Sequence, residues 1–151
     1  MQTISDKQGK SLFKEYIERG NKTQQYQFTE SDTDKVDCTL TAYNGTTSAV
    51  ELKYRKNYTS DIIDNGVLLE WDKFQYLKDT IEESGYTNAY YISIFSDGIM
   101  AVFDVLTYQD SLKWIEKDNL PTHTEFANTK RKTKKITLIP RKYLKCRQLN
   151  I

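Results

Sequence analysis

The sequence predicts an α/β domain in which helices flank a mixed central sheet. Short stretches of alternating apolar and polar residues, typical of strands, are interleaved with amphipathic stretches that have helical spacing. One helical stretch separates the third predicted strand from the fourth, which allows a crossover between parallel neighbours. The length of 151 residues fits one domain over residues 1–151 with a core of ordinary size.

The predicted elements follow the order α-β-β-β-α-β-β-α-β. Helices are expected over residues 5–19, 68–84 and 108–117. Strands are expected over residues 24–29, 35–43, 48–55, 88–95, 99–105 and 135–139, with a polar loop over 123–133. Gly20 and Gly85 supply stops for the first two helices. The later strands and the short third helix are therefore additions to an α-β-β-β-α-β core.

The second and third strands form a hairpin around Asn44-Gly45, and its loop length decides which side chains share a face. Directly opposed residues of an antiparallel pair point to the same side. The two-residue turn that Asn-Gly favours would oppose Asp37 to Leu52 and put a carboxylate on the apolar side. A loop with an odd number of residues, or a bulge, opposes Asp37 to Glu51 or Lys53 instead. The apolar alternation therefore predicts the odd loop.

Composition narrows the class of protein. No apolar run approaches the roughly 20 residues that span a bilayer, and the first residues lack a secretory signal, so we expect a cytoplasmic protein without membrane contact. Cys38 and Cys146 do not make a disulfide framework. With His123 as the only histidine, the chain offers too few ligands for zinc.

Charge is unevenly distributed along the chain. Residues 129–151 contain nine Lys or Arg and no acid, whereas the first 128 residues contain thirteen Lys or Arg and 21 Asp or Glu. Such asymmetry can mark a contact with nucleic acid, and it can equally be a solvated basic tail.

Three charges of the hairpin form a candidate catalytic group. Asp37, Glu51 and Lys53 would reach one surface of adjacent strands. Two carboxylates, helped by the Leu52 carbonyl, suit Mg²⁺ or Mn²⁺. Such an ion can orient a phosphate and stabilise the charge that develops on it, while Lys53 could position a water, deprotonate it or neutralise charge. The alternative is an ordinary polar sheet face.

This pattern resembles the signature of the PD-(D/E)XK nucleases, with Asp37 followed by Glu51-Leu52-Lys53. The setting is similar to their restriction-endonuclease-like αβββαβ core, over roughly residues 9–96. Val36 stands where a proline often precedes the aspartate in that family. The resemblance implies Mg²⁺- or Mn²⁺-dependent hydrolysis of phosphodiester bonds in DNA, by a Holliday-junction-resolvase type of structure-selective endonuclease. That type is typically dimeric, which implies a homodimer.

The resemblance also implies further site residues. Resolvase-like members carry a glutamate on the first helix, and Glu15 fits this catalytic and metal-binding role better than Glu18 because it borders the apolar stripe and has a spacing from Gly9 close to that of the family. Glu70 and Lys73 are candidates for a polar residue that faces the site from the second helix, and they could equally form an intrahelical ion pair. The expected DNA-binding residues are Arg55, Lys56, Lys73, Lys130, Arg131, Lys132, Lys134 and Lys135.

Two other functions fit the same sequence. One is a non-catalytic nucleic-acid-binding protein with a nuclease-like fold. The other is a protein-interaction module in which the basic segment only increases solubility. Affinity for nucleic acid that falls steeply with salt would separate the first from the second.

Overall fold

Six strands form the central sheet, and three more form a second, smaller sheet. The structure is a computed structural model that describes residues 4–20, 23–28, 36–121 and 131–149. The helices are α1 (Ile4–Arg19), α2 (Trp71–Ser84) and α3 (Val105–Tyr108). The strands are β1 (Thr23–Phe28), β2 (Cys38–Ala42), β3 (Thr47–Arg55), β4 (Val67–Glu70), β5 (Asn88–Phe95), β6 (Ile99–Asp104), β7 (Ile115–Pro121), β8 (Arg131–Ile139) and β9 (Leu144–Gln148). Short 3₁₀ helices cover Ser60–Asn65, Gln109–Ser111 and Arg141–Tyr143.

The central sheet is mixed, as the sequence predicts. Its strand order is β1-β2-β3-β5-β6-β9. Strands β3 and β5 are parallel and are joined through α2, while every other neighbouring pair is antiparallel. The second sheet has the order β4-β8-β7 and is antiparallel. The mixed sheet is therefore confirmed, and so is the predicted α-β-β-β-α-β order for the elements of the central sheet, although β4 of the small sheet is inserted before α2.

The two long helices pack on opposite faces of the sheet. On the α1 face, Phe13 and Ile17 pack with Val50 and Leu52 of β3. On the α2 face, the buried cluster has the members Ala49, Phe74, Leu77, Tyr91 and Phe103, together with Val67, Leu69 and Ile139 of the small sheet. Because successive β3 residues alternate between these faces, Glu51 and Lys53 point towards α2.

The hairpin between β2 and β3 has a three-residue loop. The Ala42 N–H donates to the Thr46 carbonyl at 2.9 Å, which leaves Tyr43, Asn44 and Gly45 in the loop. The Gly45 N–H donates back to Ala42 at 2.9 Å, and Gly45 has a φ of 87°, as in a type I turn followed by a left-handed residue. Cys38 is paired with Val50. The predicted odd loop is confirmed, and Asp37 falls opposite Glu51.

Three of the predicted elements differ from the structure. Residues 68–70 belong to strand β4, not to the helix, because Val67–Glu70 pairs with β8 and α2 begins at Trp71. Of the predicted helix over 108–117, only Tyr108 is α-helical, as the last residue of α3; a 3₁₀ turn follows over Gln109–Ser111, and Ile115 begins β7. The predicted loop lies largely outside the described residues, but its last three positions, 131–133, are already in β8.

The basic C-terminal segment is part of both sheets. Strand β8 is the centre of the small sheet, whereas β9 is an edge of the central sheet. No strand was predicted over Leu144–Gln148. Within the described ranges, no helix combines the length and the apolar character that a membrane crossing requires.

Candidate functional site

Asp37 lies at the start of β2 and is bound to the neighbouring strand through its backbone and its side chain. Its N–H donates to the Val50 carbonyl at 3.0 Å. Its Oδ2 accepts from the Leu52 N–H at 2.8 Å. The carboxylate thus accepts from a β3 N–H that lies beyond Cys38 and Val50, the last paired residues of β2 and β3. This bond fixes the position of the carboxylate against β3.

Glu51 is the buried partner of this carboxylate. Only 7% of the residue is exposed, which is rare for a glutamate. It falls opposite Asp37 in the hairpin register, so the two side chains share one face of the sheet, and the Asp37 charge acts on Glu51. The hairpin register therefore brings together the two acids that the sequence singles out.

Each carboxylate also has a lysine from one of the two flanking helices. Lys10 of α1 has its Nζ 3.9 Å from Asp37 Oδ1. Lys73 of α2 has its Nζ 3.2 Å from Glu51 Oε1. The acidic pair therefore lies between the two helices, with an ammonium group on each side.

The pair has strongly perturbed acid–base properties. Burial and the neighbouring Asp37 charge raise the pKa of Glu51 from 4.5 to about 8, although Lys73 acts in the opposite sense. Burial also raises the pKa of Asp37, against the opposing effects of the Leu52 N–H and of Lys10. For Lys73, burial alone would lower the pKa, but Glu51, Asp37 and Glu70 together raise it above its ordinary value. The site thus favours one proton on the acidic pair and keeps Lys73 charged.

Lys53 and Leu52 occupy the positions next to Glu51 on β3. Lys53 is half-buried on the same face as Glu51, opposite Ser93 of the parallel strand β5. The Leu52 side chain is buried on the α1 face, and its N–H holds Asp37. The structure therefore brings Lys53 to the face that carries the buried glutamate.

The acids of α1 are placed differently from the prediction. Glu15 is exposed and pairs with Arg19 at 3.4 Å, and Glu18 is hydrogen bonded to the Tyr26 hydroxyl. The structure brings neither of them to the acidic pair. Instead Asp6, two turns before Phe13 on the buried side of α1, acts electrostatically on Asp37.

Asp6 and Lys10 are site residues that the sequence interpretation missed. They lie four residues apart, and the next residue on that side is the buried Phe13. Between them, a Cβ on Gly9 would lie 3.1 Å from the Tyr54 Cβ, so α1 approaches β3 very closely there. The helical spacing of Asp6, Lys10 and Phe13 could have identified these two residues, because it continues the apolar stripe of α1 towards the N-terminus.

Arg55 was expected to contact DNA, but its guanidinium is used inside the molecule. Its Nε donates to Ser93 Oγ at 3.1 Å. Its Nη2 donates to the Leu68 carbonyl at 2.7 Å and to the Tyr91 hydroxyl at 2.9 Å. These bonds connect β3 and β5 of the central sheet to β4 of the small sheet. Arg55 therefore has a structural role, and its contact with DNA stays a prediction.

Other residues of the expected DNA-binding set are also engaged within the protein. Lys134 is 9% exposed and lies 3.3 Å from both carboxylate oxygens of Glu70. The Nζ of Lys135 lies 3.8 Å from the centre of the Trp71 ring, a cation–π contact. Together with Glu70, Asp72 and Thr133, these residues line a cavity of about 130 Å³. These lysines stabilise the junction between β8 and α2.

The remaining residues that were expected to bind DNA are Lys56, Lys130, Arg131 and Lys132. Lys56 is exposed in the turn after β3. Arg131 and Lys132 belong to β8, whose backbone pairs there with β7, and Lys130 lies outside the described residues. Exposed cations also occur on β9, where Lys145 and Arg147 share a face. The described basic surface is therefore built from several elements.

The acidic pair fits a divalent cation of the Mg²⁺ type. Among the residues that the structure describes, no group of three or more His, Cys, Asp or Glu gathers in a way that could hold a metal. Magnesium, however, is usually bound by one or two carboxylates and keeps several waters. Two adjoining carboxyl groups whose pKa values are raised by burial, and for Glu51 also by the Asp37 charge, are a donor set that a cation would stabilise.

Comparison with known proteins finds similarity among solved structures. No family model matches the chain, and no curated protein matches it. Among solved structures, the chain is similar to Hjc, a Holliday junction resolvase from the hyperthermophilic archaeon Archaeoglobus fulgidus. The match has 20% sequence identity and a TM-score of 0.49, and it covers 85% of this chain and 86% of that chain. At this identity the match assigns no residue roles.

Proposed function

We propose that this chain is a metal-dependent nuclease that hydrolyses phosphodiester bonds in DNA. The observation that carries the proposal is the carboxyl pair of Asp37 and the buried Glu51, opposite each other across the hairpin with Lys53 on the Glu51 face. An ordinary sheet face would not bury a glutamate against a second carboxylate, because the charged forms repel each other and lose their hydration. The sequence resemblance to PD-(D/E)XK nucleases points to the same chemistry.

Asp37 and Glu51 are the residues that would hold Mg²⁺ or Mn²⁺. When bound, such an ion supplies a Lewis acid that polarises a phosphate oxygen. The Leu52 N–H orients the Asp37 carboxylate, so the donor set is positioned by the hairpin itself. Among the acids of α1 we assign the supporting role to Asp6 in place of Glu15, because Glu15 is engaged with Arg19 on the exposed side.

Lys53 is the residue that we assign to the phosphate. It follows Glu51 by two residues and therefore points to the same face. Its ammonium group would donate hydrogen bonds to a phosphate oxygen and neutralise the charge that develops there. Its half-buried position would strengthen this interaction relative to water.

The proposed substrate is DNA, with branched DNA favoured by the resemblance to resolvases. Exposed cations outside the acidic pair would bind phosphates of the backbone, because carboxylates alone repel DNA. The described candidates are Lys56, Lys142, Lys145 and Arg147. Cleavage of two strands of a junction would further require two copies of the site, hence the proposed homodimer.

The test is a cleavage assay on double-stranded, single-stranded and four-way-junction DNA in Mg²⁺, Mn²⁺ or EDTA. We expect metal-dependent cleavage, reduced at least about 100-fold by Asp37→Asn and by Lys53→Met. Asp110→Asn and Lys113→Met change exposed residues of the same types and should leave the rate unchanged. If the folded protein cleaves none of these substrates in either metal, the nuclease proposal is wrong. Salt-dependent DNA binding without cleavage would then support the non-catalytic alternative.

A further inference from the structure

We propose that Lys73 is an internal cation that neutralises the acidic pair until a divalent ion displaces it, and that Glu70 then receives its ammonium group. The inference rests on the proposed metal site and names the residue that sets its affinity. It adds Glu70 and Lys73, at the start of α2, to the site. Neither residue would bind the divalent ion or contact the substrate.

The position of the ammonium group is the first observation. Lys73 Nζ lies 3.2 Å from Glu51 Oε1, which itself belongs to a side chain that is only 9% exposed. The Lys73 side chain is 50% exposed. Its charged end therefore reaches a buried carboxylate from the surface, while its stem remains in solvent. Such a side chain can leave the carboxylate without disturbing the core.

Glu70 supplies a second partner for the same lysine. It immediately precedes α2, three residues before Lys73, which is a neighbouring position on a helix surface. Its negative charge already acts on Lys73. Both of its carboxylate oxygens lie 3.3 Å from the nearly buried Lys134 Nζ, so its position is fixed by β8. Lys73 therefore contacts the site carboxylate Glu51 and also lies within the electrostatic influence of Glu70.

Charge balance explains why this arrangement would control metal affinity. Without a cation, two adjoining carboxylates repel each other, and Lys73 offsets that repulsion. A divalent ion would have to break the contact between Lys73 and Glu51 before it could bind the carboxylates. Removing Lys73 should therefore strengthen divalent-ion binding, whereas removing the Glu70 charge should weaken it, because the displaced ammonium loses its alternative partner.

Calorimetric titration of the metal-free protein with MgCl₂ at pH 9 tests this. We expect Lys73→Met to bind Mg²⁺ at least about tenfold more tightly than the wild type, and Glu70→Gln to bind it several-fold more weakly. In the double variant, the Glu70→Gln effect should disappear, because Glu70 acts only through Lys73. Lys78→Met, which changes another lysine of α2, should titrate like the wild type. Thermal melting establishes that each variant is folded, and Lys73→Gln serves as the second variant.

The outcomes separate the two proposals. If Mg²⁺ binds the wild type, is lost in Asp37→Asn, and is bound equally or more weakly by both Lys73 variants, the displacement proposal is wrong while the metal site stands. If Glu70→Gln weakens binding equally in the Lys73→Met background, Glu70 acts directly on the ion, and its assigned role is wrong. If neither the wild type nor the Lys73 variants bind Mg²⁺ or Mn²⁺, both proposals fail.

Discussion

Replacing Glu51 by glutamine should make the stability of the protein much less dependent on pH. The native state raises the pKa of Glu51 from 4.5 to about 8 through burial and the adjoining Asp37. Between these two pH values, the folded protein keeps a proton that the unfolded chain has released. The free energy of unfolding must therefore fall as the pH rises through this window, and the loss is complete above pH 8. Glutamine keeps the shape but cannot ionise.

The size of the effect follows from the two pKa values. At about 1.4 kcal/mol per pH unit, the interval from 4.5 to about 8 corresponds to an upper limit of about 5 kcal/mol. We expect the wild type to lose about 3 kcal/mol or more between pH 5 and pH 9, since relaxation reduces such values. The glutamine variant should lose far less, because the raised pKa of Asp37 is then its main remaining contribution. At pH 9 the variant should be the more stable protein.

Urea unfolding in EDTA at a series of pH values measures this directly. Trp71 and Trp114 pack edge to face with centroids 4.8 Å apart, so their fluorescence should report the transition. At pH 9, added MgCl₂ should stabilise the wild type by about 3 kcal/mol at 100 times its dissociation constant and should leave the variant unchanged. A variant with the same pH dependence as the wild type, or with lower stability at pH 9, would refute the reasoning. It would mean that the Lys73 pair outweighs the burial of the charge.

Three structural substitutions give further predictions. Arg55→Met should destabilise the protein by about 2–4 kcal/mol in urea, because it removes the hydrogen bonds that the guanidinium donates to Ser93, to Tyr91 and to the Leu68 carbonyl, of which the carbonyl keeps only the Tyr91 hydroxyl; a loss below about 0.5 kcal/mol would contradict this role. Gly66→Ala should cost about 2–3 kcal/mol, since Gly66 has a φ of 94° and a Cβ there would lie 2.9 Å from a Cβ of β8. Gly45→Ala should cost only about 1 kcal/mol, because its φ of 87° is similar but nothing lies within 4 Å. Equal losses of stability in the two glycine variants would contradict the crowding at Gly66, and their melting temperatures measure the difference.

The hairpin could be predicted from the sequence because its information is local. Alternation of apolar residues excluded the two-residue turn, although Asn44-Gly45 favours it, and this placed Asp37 opposite Glu51. Gly85 ended the second helix for an equally local reason, since it adopts the left-handed conformation after Ser84. In both cases the residues that determine the local structure are close together in the sequence, so the sequence was sufficient to predict it.

The remaining parts depend on partners that are distant in sequence. The stretch Val67–Glu70 carries apolar residues that suit a helix or a strand, and only pairing with β8 decides between them. Arginine is a residue type that commonly contacts DNA at a protein surface, but the guanidinium of Arg55 donates to the Leu68 carbonyl and to the Tyr91 hydroxyl inside the molecule. Lys134 was likewise assigned to DNA because its partner Glu70 lies 64 residues earlier. Charge alone did not indicate which cations the fold uses internally.

The pairing of β4 with β8 also determines when the site can be completed during folding. Val67 pairs with Ile139, whereas the hairpin that carries Asp37 and Glu51 closes over a three-residue loop. Contacts that are close in sequence form sooner than contacts that are far apart in sequence. A growing polypeptide would therefore assemble its two carboxylates early and fix the start of α2 only after β8 has been synthesised. A chain shortened before β8 would retain the acidic pair but lose the strand that holds Glu70, so such a deletion cannot isolate the contribution of the basic segment to DNA binding.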